Sequence, residues 1–434
     1  MLNKFLYGQK SGRGICIILL LCLFQMNVNA QIQTDTIKMH LPEMEALFIK
    51  NNLSLLAAKY NIDANKALIE QAKLWDNPML VTDQNIYADN KFFAHGKDVN
   101  GQVQGQYFIQ IQQLIKTAGK RSKWIAMTST NAKLSELQFN EIMRNLKYQL
   151  RTDYYSIAQR MGAHQLYRKE LNELQKLLVG MKSQLENGNI AKKDYLRIQA
   201  LILSMEQDLA DNDRAIADTE TELKSLLQLN VNTFIETFDS TIINKSISFS
   251  YEMISDTARK YNSAFAIEQT QLIYQQQNLS YQKALKSPDF TVGPEYDHNS
   301  NYAPHYVGLS ISLPLTIFNR NQGNIKSAQY TVKQEETNLL QVQQQLNNSI
   351  QNALKKFYLT KELSGKQELI FYNEYEALFN NITESYRQRQ INLIEFIDFF
   401  DAFRESELNR LNQTFNLHAA IEEINYLAGK DMFN

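Results

Sequence analysis

Residues 306–329 read YVGLSISLPLTIFNRNQGNIKSAQ. Val307, Leu309, Ile311 and Leu313 alternate with Tyr306, Gly308, Ser310 and Ser312, the period of a strand with one apolar face. This strand does not return by a hairpin. It passes through a bend, residues 314–323, and gives way at Ile325 to a helical pattern. A fainter version of the same junction, YFIQIQQLIKTAGKRSKW, begins at Tyr107.

Two junctions of one kind imply a chain that repeats itself. NLSLLAAKYNIDANKALIEQAKLWDNPML from Asn52 aligns without gaps to NSAFAIEQTQLIYQQQNLSYQKALKSPDF from Asn262, an offset of 210. Each segment predicts a helix ending at a proline, Pro78 or Pro288, because proline bars the preceding residue from helical geometry. Beyond each proline the pattern predicts two strands. In the second copy Phe290, Val292, Pro294 and Tyr296 alternate with Thr291, Gly293, Glu295 and Asp297, and the 306–313 strand follows after HNSNYAP. In the first copy residues 79–87 are the weaker match. Val103, Tyr107, Ile109 and Ile111 are then set against Gln102, Gln104, Gln106, Gln110 and Gln112.

Strands with one apolar face and one row of Gln or Ser fit either a soluble sandwich or a lipid-facing barrel with a wet lumen. The count favours the barrel, since only four strands are predicted, in two hairpins separated by helix, on a chain that reads as exported. Four strands cannot close a barrel, for which about eight is the single-chain minimum. An open edge in a bilayer leaves backbone groups unpaired, so other copies of the chain are expected to supply the edges.

The rest of the composition agrees with long helices. The 434 residues include only 6 Pro and 15 Gly, with 44% hydrophobic and 21% charged. Lys4, Lys10 and Arg13 precede the apolar run ICIILLLCLF, and Val28, Asn29 and Ala30 offer a cleavage site, so 1–30 reads as a secretory signal peptide. Both cysteines, Cys16 and Cys22, fall inside it, which leaves the mature chain no disulfide. Cys22 follows Leu21 where a lipoprotein signal needs a small residue, so no acylated N-terminus is expected. Removing the signal takes the formal charge from −1 to −4, which gives no reason to expect a nucleic-acid partner.

Met143, Leu150, Ile157, His164, Leu171, Leu178 and Leu185 recur every seven residues, flanked by Tyr167, Leu174 and Met181. Heptads sustained this long specify a left-handed coiled coil. The break is ENGNIAKKDYLRIQ, where Gly188 ends one helix and Asn189 is available to cap the next. Ile202, Leu209, Ile216 and Leu223 mark the return. In the second half Ile325, Val332, Leu339, Leu346 and Ala353 share one phase, and the chain turns at RQRQINLIEFID. The organisation expected is a first repeat over 31–230 with a strand hairpin at 78–115 and a helical tip near 187–195. A connector of unreadable function, forming a mixed patch at the waist, spans 231–250. A second repeat then covers 251–434, with a strand hairpin at 288–317 and a tip near 388–398.

Helix-Pro-strand units at Pro78 and Pro288, tips NGNIAKKDYLRIQ and RQINLIEFIDFF, and the closing NYLAG at 425–429 together resemble the TolC-type outer-membrane efflux proteins along the mature chain. SLPLTIFNRNQGNI is most similar to the subgroup serving heavy-metal pumps of the resistance-nodulation-division type. The resemblance implies a mainly α fold with a small β part. Long coiled-coil hairpins would form an α-barrel tunnel through the periplasm, and two β-hairpins per chain would enter one twelve-stranded barrel shared by a homotrimer in outer-membrane lipid. It implies a passive conduit, joined to a periplasmic adaptor and an inner-membrane pump, for heavy-metal cations or otherwise drugs and small molecules. A protein-secretion channel and an exported structural coiled coil are the alternatives.

The resemblance also implies that the tips touch the adaptor, through Gly188, Asn189, Arg389 and Gln390, and close the tunnel. Glu395 and Asp398 match an acidic ring there, and Asp194 a polar link of the aperture. Arg389 stands where the first tip has Gly188, Glu395 replaces the usual Asp, and Ile391 stands where some members carry a latching arginine. Such a ring would favour cations in a confined pore, although most acids on coiled coils are simply solvated.

No enzyme motif, phosphate loop or cofactor signature is present. His40, His95, His164, His298, His305 and His418 are scattered. His298 and His305 flank one strand connection, but loop histidines of this kind usually bind nothing, so the sequence assigns no metal site. His164, on a heptad position, reads as a packed or pore-facing polar residue.

Overall fold

The computed structural model of the chain describes residues 35–88, 90–237, 247–300, 302–365 and 369–432. The expected signal peptide and the middle of the expected connector lie outside them.

The chain enters on strand β1 (Asp35–Met39), then α1 (Leu41–Asn51) and α2 (Leu53–Lys73). The first strand hairpin consists of β2 (Met79–Gln84) and β7 (Tyr107–Ile115). Its long connection folds back as two small ladders, β3 (Tyr87–Ala88) with β4 (Lys91–Phe92) and β5 (Gly96–Lys97) with β6 (Val103–Gln104). Helix α3 (Lys120–Glu186) runs for 67 residues, about 100 Å at 1.5 Å per residue. It turns back as α4 (Lys192–Leu227). Strand β8 (Thr233–Thr237) leads to α5 (Tyr251–Tyr261) and α6 (Ser263–Ala284), then to the second hairpin, β9 (Phe290–Asn299) and β10 (Pro304–Ser312). The chain closes with α7 (Gln322–Gly365), α8 (Leu369–Arg387) and α9 (Leu393–Ala428).

The two hairpins form one antiparallel sheet in the order β10-β9-β7-β2. Helices α2, α3, α6 and α7 pack side by side in the matching order, because each continues one of these strands. Gly293 of β9 lies directly against the backbone of β7 at Ile111 and Gln112. A Cβ there would lie 1.7 Å from the Ile111 carbonyl oxygen, so no larger residue fits without separating the hairpins.

The repeat has a structural signature in two asparagines. Asn52 caps α2 by accepting from Leu55 N and donates from Nδ2 to the Leu226 carbonyl at 3.0 Å. Asn262 does the same for α6, with Phe265 N and the Leu427 carbonyl at 2.9 Å. Each residue thus joins the start of a helix leading to the sheet to the end of the helix returning from the tip.

Heptad residues Leu150, Ile157, Leu171, Leu174, Met181, Ile202, Leu209, Leu223 and Ala353 are buried. Three apolar clusters result. One gathers α3, α4, α8 and α9 near the tips; a second joins α5, α7 and α9; a third joins α1, α3, α4 and β8. β8 pairs in parallel with β1, so part of the expected connector is a strand whose partner is the start of the described chain.

Several boundaries differ from expectation. Helix α2 stops at Lys73 and α6 at Ala284, short of Pro78 and Pro288, since the segments before the prolines are already extended or turned. Val103 and Gln104 belong to a local ladder and not to the main sheet, because Gly105 takes φ +79° and breaks the strand. Helix α7 begins at Gln322, inside the expected bend, directly after Asn321 at φ +58°. One side of the second helical hairpin is described as α7 and α8, on either side of residues 366–368, which lie outside the described residues.

Candidate functional site

The sheet is inverted relative to a soluble one. Leu80, Ile109, Ile111, Val307, Leu309 and Ile311 are exposed at 39 to 73%, while Gln110 is buried at 5%. The register explains the two faces. Leu80 pairs with Ile111, Ile109 with Tyr296 and Tyr296 with Val307, so an apolar pair sits on this face at each of the three strand junctions. On the other face Gln110 Nε2 donates to Glu295 Oε2 at 3.1 Å, Gln112 Nε2 donates to Gln110 Oε1, and Gln106 Nε2 donates to Asp297 Oδ2 at 3.1 Å. The outer edges of β2 and β10 have no strand partner among the described residues. The helical layer has the same open edges. Along α1 and α2, Ile49, Leu53, Leu56 and Tyr60 form an exposed apolar stripe at heptad spacing, and Tyr330 and Leu340 stand exposed on α7.

The opposite end carries the two helical tips, built to one plan. Gly188 has φ +74°, and the next N–H, of Asn189, donates back to the Gln184 carbonyl at 2.8 Å. Arg389 takes the same conformation at φ +57°, and Gln390 N donates to the Ser385 carbonyl at 2.9 Å. Both are Schellman-type helix ends, so the arginine holds a position that normally calls for glycine. Asn189 does not cap the returning helix as expected. The N-cap of α4 is Ala191, two residues on, and the Asn189 side chain instead donates to Gln184 Oε1 at 2.9 Å. In the second tip Asn392 is a true cap, accepting from Ile394 N and Glu395 N, while Glu395 Oε2 accepts from Asn392 N at 2.9 Å.

All seven residues singled out from the sequence therefore lie on the two tips, which share one apolar cluster through Ile190, Ile198, Ile391, Leu393 and Phe396. Asp194 sits in the first turn of α4, and burial, followed by the charge of Asp194, raises the Tyr386 phenol of the other tip. Burial, followed by the charge of Asp398, raises Tyr375. Glu395 and Asp398 are exposed.

Sequence reasoning missed the ionisable groups inside the coiled coils. Arg151 of α3 binds Glu45 of α1 at 2.5 Å, Glu422 of α9 at 2.7 Å and Asp431 at 2.8 Å, tying both ends of the described chain to its middle. Glu170 is fully buried with neither carboxylate oxygen hydrogen-bonded, and burial pushes it up to about 8. Burial and the neighbouring Glu222 push Asp153 up to about 7. His418 stacks on Tyr155 with ring centres 4.1 Å apart, and burial pushes it down to about 4. His164, on its heptad position, meets Asp213 Oδ1 of α4 at 2.6 Å. Spacing alone marks such positions as core, and only the facing helix decides whether a polar one has a partner.

Among the described residues no helix is long and apolar enough to cross a membrane, and no group of three or more His, Cys, Asp or Glu is placed to hold a metal ion.

Residues 46–228 match the model of the outer membrane efflux protein family. No protein of curated function matches the chain. Solved structures match over nearly its whole length. The outer membrane protein VceC of Vibrio cholerae is 13% identical with a TM-score of 0.71, covering 91% of this chain and 97% of that one. The CmeC outer membrane channel of Campylobacter jejuni is 13% identical with a TM-score of 0.71, covering 91% and 87%. CusC, described as undergoing conformational changes on folding and transmembrane channel formation, is 14% identical with a TM-score of 0.71, covering 94% and 96%.

Proposed function

From a chain that resembles the outer membrane efflux proteins, by the family match of its first repeat and by a TolC-type fold along its length, we propose a passive conduit through the outer membrane. Three copies place their four-stranded sheets edge to edge in one twelve-stranded barrel, and their helices continue it as a tunnel through the periplasm. The tips meet a periplasmic adaptor and an inner-membrane pump, which supplies the energy and selects the cargo, heavy-metal cations or other small molecules.

The observation that carries this reading is the inverted sheet with two open edges. A row of exposed Leu, Ile and Val opposite hydrogen-bonded Gln and Glu suits lipid outside and water inside. The unpaired edges of β2 and β10 suit pairing with neighbouring copies, since lipid offers backbone groups no partner. The same edges, continued by α2 and α7, carry exposed apolar side chains that a neighbour would cover.

In this reading Glu395 and Asp398 ring the closed aperture, Asp194 links the two tips across Tyr386, and Gly188, Asn189, Arg389 and Gln390 form the surface offered to the adaptor. The test is biochemical. The protein should be recovered from the outer membrane as a detergent-stable trimer and form ion-conducting channels in planar lipid bilayers. A soluble monomer without conductance would overturn the proposal.

A further inference from the structure

The end of the β9–β10 hairpin farthest from the helices carries a cluster of rings. His298 and His305, on either side of the strand connection, face each other across the hairpin between the Pro304–Asn299 and Tyr306–Asp297 pairs. Their ring centres lie 4.9 Å apart with the planes at 76°. Tyr107 of β7 stacks on His298 at 4.8 Å and 11°, and the Tyr296 hydroxyl meets His305 Nδ1 at 2.8 Å. These residues follow the strand alternation that places Ile109 and Val307 on the apolar face, so they extend that face at its rim.

We propose that His298 and His305 form a two-imidazole site for a divalent transition-metal cation of the zinc, copper and nickel class. Four observations converge on it.

The first is spacing. A metal–nitrogen bond is about 2.0–2.1 Å, so two imidazoles on one ion at angles between square and tetrahedral have ring centres roughly 4.5–5.2 Å apart. The second is an orphaned atom. His298 Nδ1 is buried and has no hydrogen-bond partner, an uncommon state for a buried polar nitrogen and one that an ion between the rings would relieve. The third is orientation. With Nδ1 of His305 engaged by Tyr296, its Nε2 is left for a ligand, the arrangement in which an outer hydrogen bond selects the ligating nitrogen. The fourth is backbone. His305 has φ +61°, a left-handed conformation that costs energy for a residue with a side chain, and here it delivers the ring to its partner.

Imidazole pairs suit zinc, copper and nickel and not magnesium or calcium, which take oxygen ligands. Water completes the coordination. The ion staples the hairpin end, and this role is separate from any cargo passing through a lumen.

The test uses the full chain in detergent, titrated with zinc chloride by calorimetry, and does not depend on its oligomeric state or conductance. One zinc ion per chain should bind in the presence of excess magnesium. His298→Gln and His305→Gln should each weaken binding at least about a hundredfold, and Tyr296→Phe about tenfold, the range for loss of an outer-shell partner. His164→Gln, which removes a distant imidazole, should leave binding unchanged. Melting curves without metal, alike in the wild type and each variant, exclude loss of fold as the cause. Absence of zinc binding in the wild type, or binding that survives both His298→Gln and His305→Gln, would overturn the assignment.

Discussion

Lys120 Nζ lies 2.6 Å from Asp289 Oδ1, with the lysine side chain only 5% exposed. The same ammonium donates to the Ser287 carbonyl, while Thr117 donates from N to Asp289 at 2.7 Å and from Oγ1 to the Pro288 carbonyl at 2.6 Å. The strand-to-helix turn of the first repeat is thereby clamped to the helix-to-strand turn of the second, at the level where sheet becomes tunnel. Removing one member of a desolvated pair strands the other, at a cost of about 3 kcal/mol. Asp289→Asn should therefore lower the melting temperature clearly, and Lys120→Met with Asp289→Leu should cost less than Asp289→Asn alone. Thermal unfolding followed by circular dichroism checks both, and additive losses would show that the two residues do not act as a pair.

Glu170 gives the fold a pH dependence of definite sign. Burial, opposed by the charges of Arg404 and Lys169 and helped by the nearby acids Asp401 and Glu407, raises its carboxyl to about 8. An unfolded glutamate loses its proton near about 4.3, so between that value and 8 the folded chain holds a proton the unfolded chain lacks. The contribution is fully present below the lower value and is lost as pH rises, by up to about 1.4 kcal/mol per pH unit. Glu170→Gln keeps the shape and removes the titration. The variant should match the wild type near pH 4.5 and melt higher at pH 8, and parallel melting curves from pH 4.5 to 8.5 would exclude the effect.

The repeat was the most legible feature of the sequence, and physical reasons explain where legibility ended. Asn52 and Asn262 align at the offset that exposed the duplication, and they make the same cap and the same tertiary bond. Alternation along β7 and β10 identified both faces of the sheet, because a period of two is a local property. The β1–β8 pair was not legible, since its partners lie about two hundred residues apart and each strand is only five residues long, too short for Ile37 and Met39 or for Ile235 to announce a pairing. At the tips Gly188 was readable from its type, whereas the cap at Asn189 failed because the turn runs two residues farther before helical geometry begins at Lys192. The His298–His305 juxtaposition depends on hairpin register, which a polar connection with no standard turn signal does not reveal.

Arg389 and Gly188 invite an exchange. Left-handed backbone costs a residue with a Cβ about 1 kcal/mol relative to glycine. Arg389→Gly should thus stabilise the second tip by about that amount, and Gly188→Ala should destabilise the first by a similar amount, even though nothing lies within 4 Å of a Cβ placed there. Local opening of the two tips, measured by hydrogen exchange at the amides of residues 184–192 and 385–393, reads each change separately. If exchange at the second tip were unaltered or faster in Arg389→Gly, the arginine would be contributing an interaction larger than its backbone strain.

The aperture reading of Glu395 needs variants that separate charge from capping. Its carboxylate already accepts from Asn392 N, so Glu395→Ala removes a helix cap worth about 1 kcal/mol along with the charge, and any loss of channel behaviour would be ambiguous. Glutamine serves the same capping box through its carbonyl oxygen. Glu395→Gln with Asp398→Asn therefore keeps the tip folded while removing two negative charges per chain. If three copies converge on a narrow pore, their carboxylates create a field that concentrates divalent cations. The double variant should then require at least about tenfold more divalent cation for half-block of single-channel conductance, equivalent to about 1.4 kcal/mol of binding. Glu395→Ala alone should increase hydrogen exchange in the first turn of α9, which Glu395→Gln leaves near the wild-type rate. Unchanged block in a double variant with normal tip protection would remove Glu395 and Asp398 from the aperture and leave them as an N-terminal cap and a solvated surface charge.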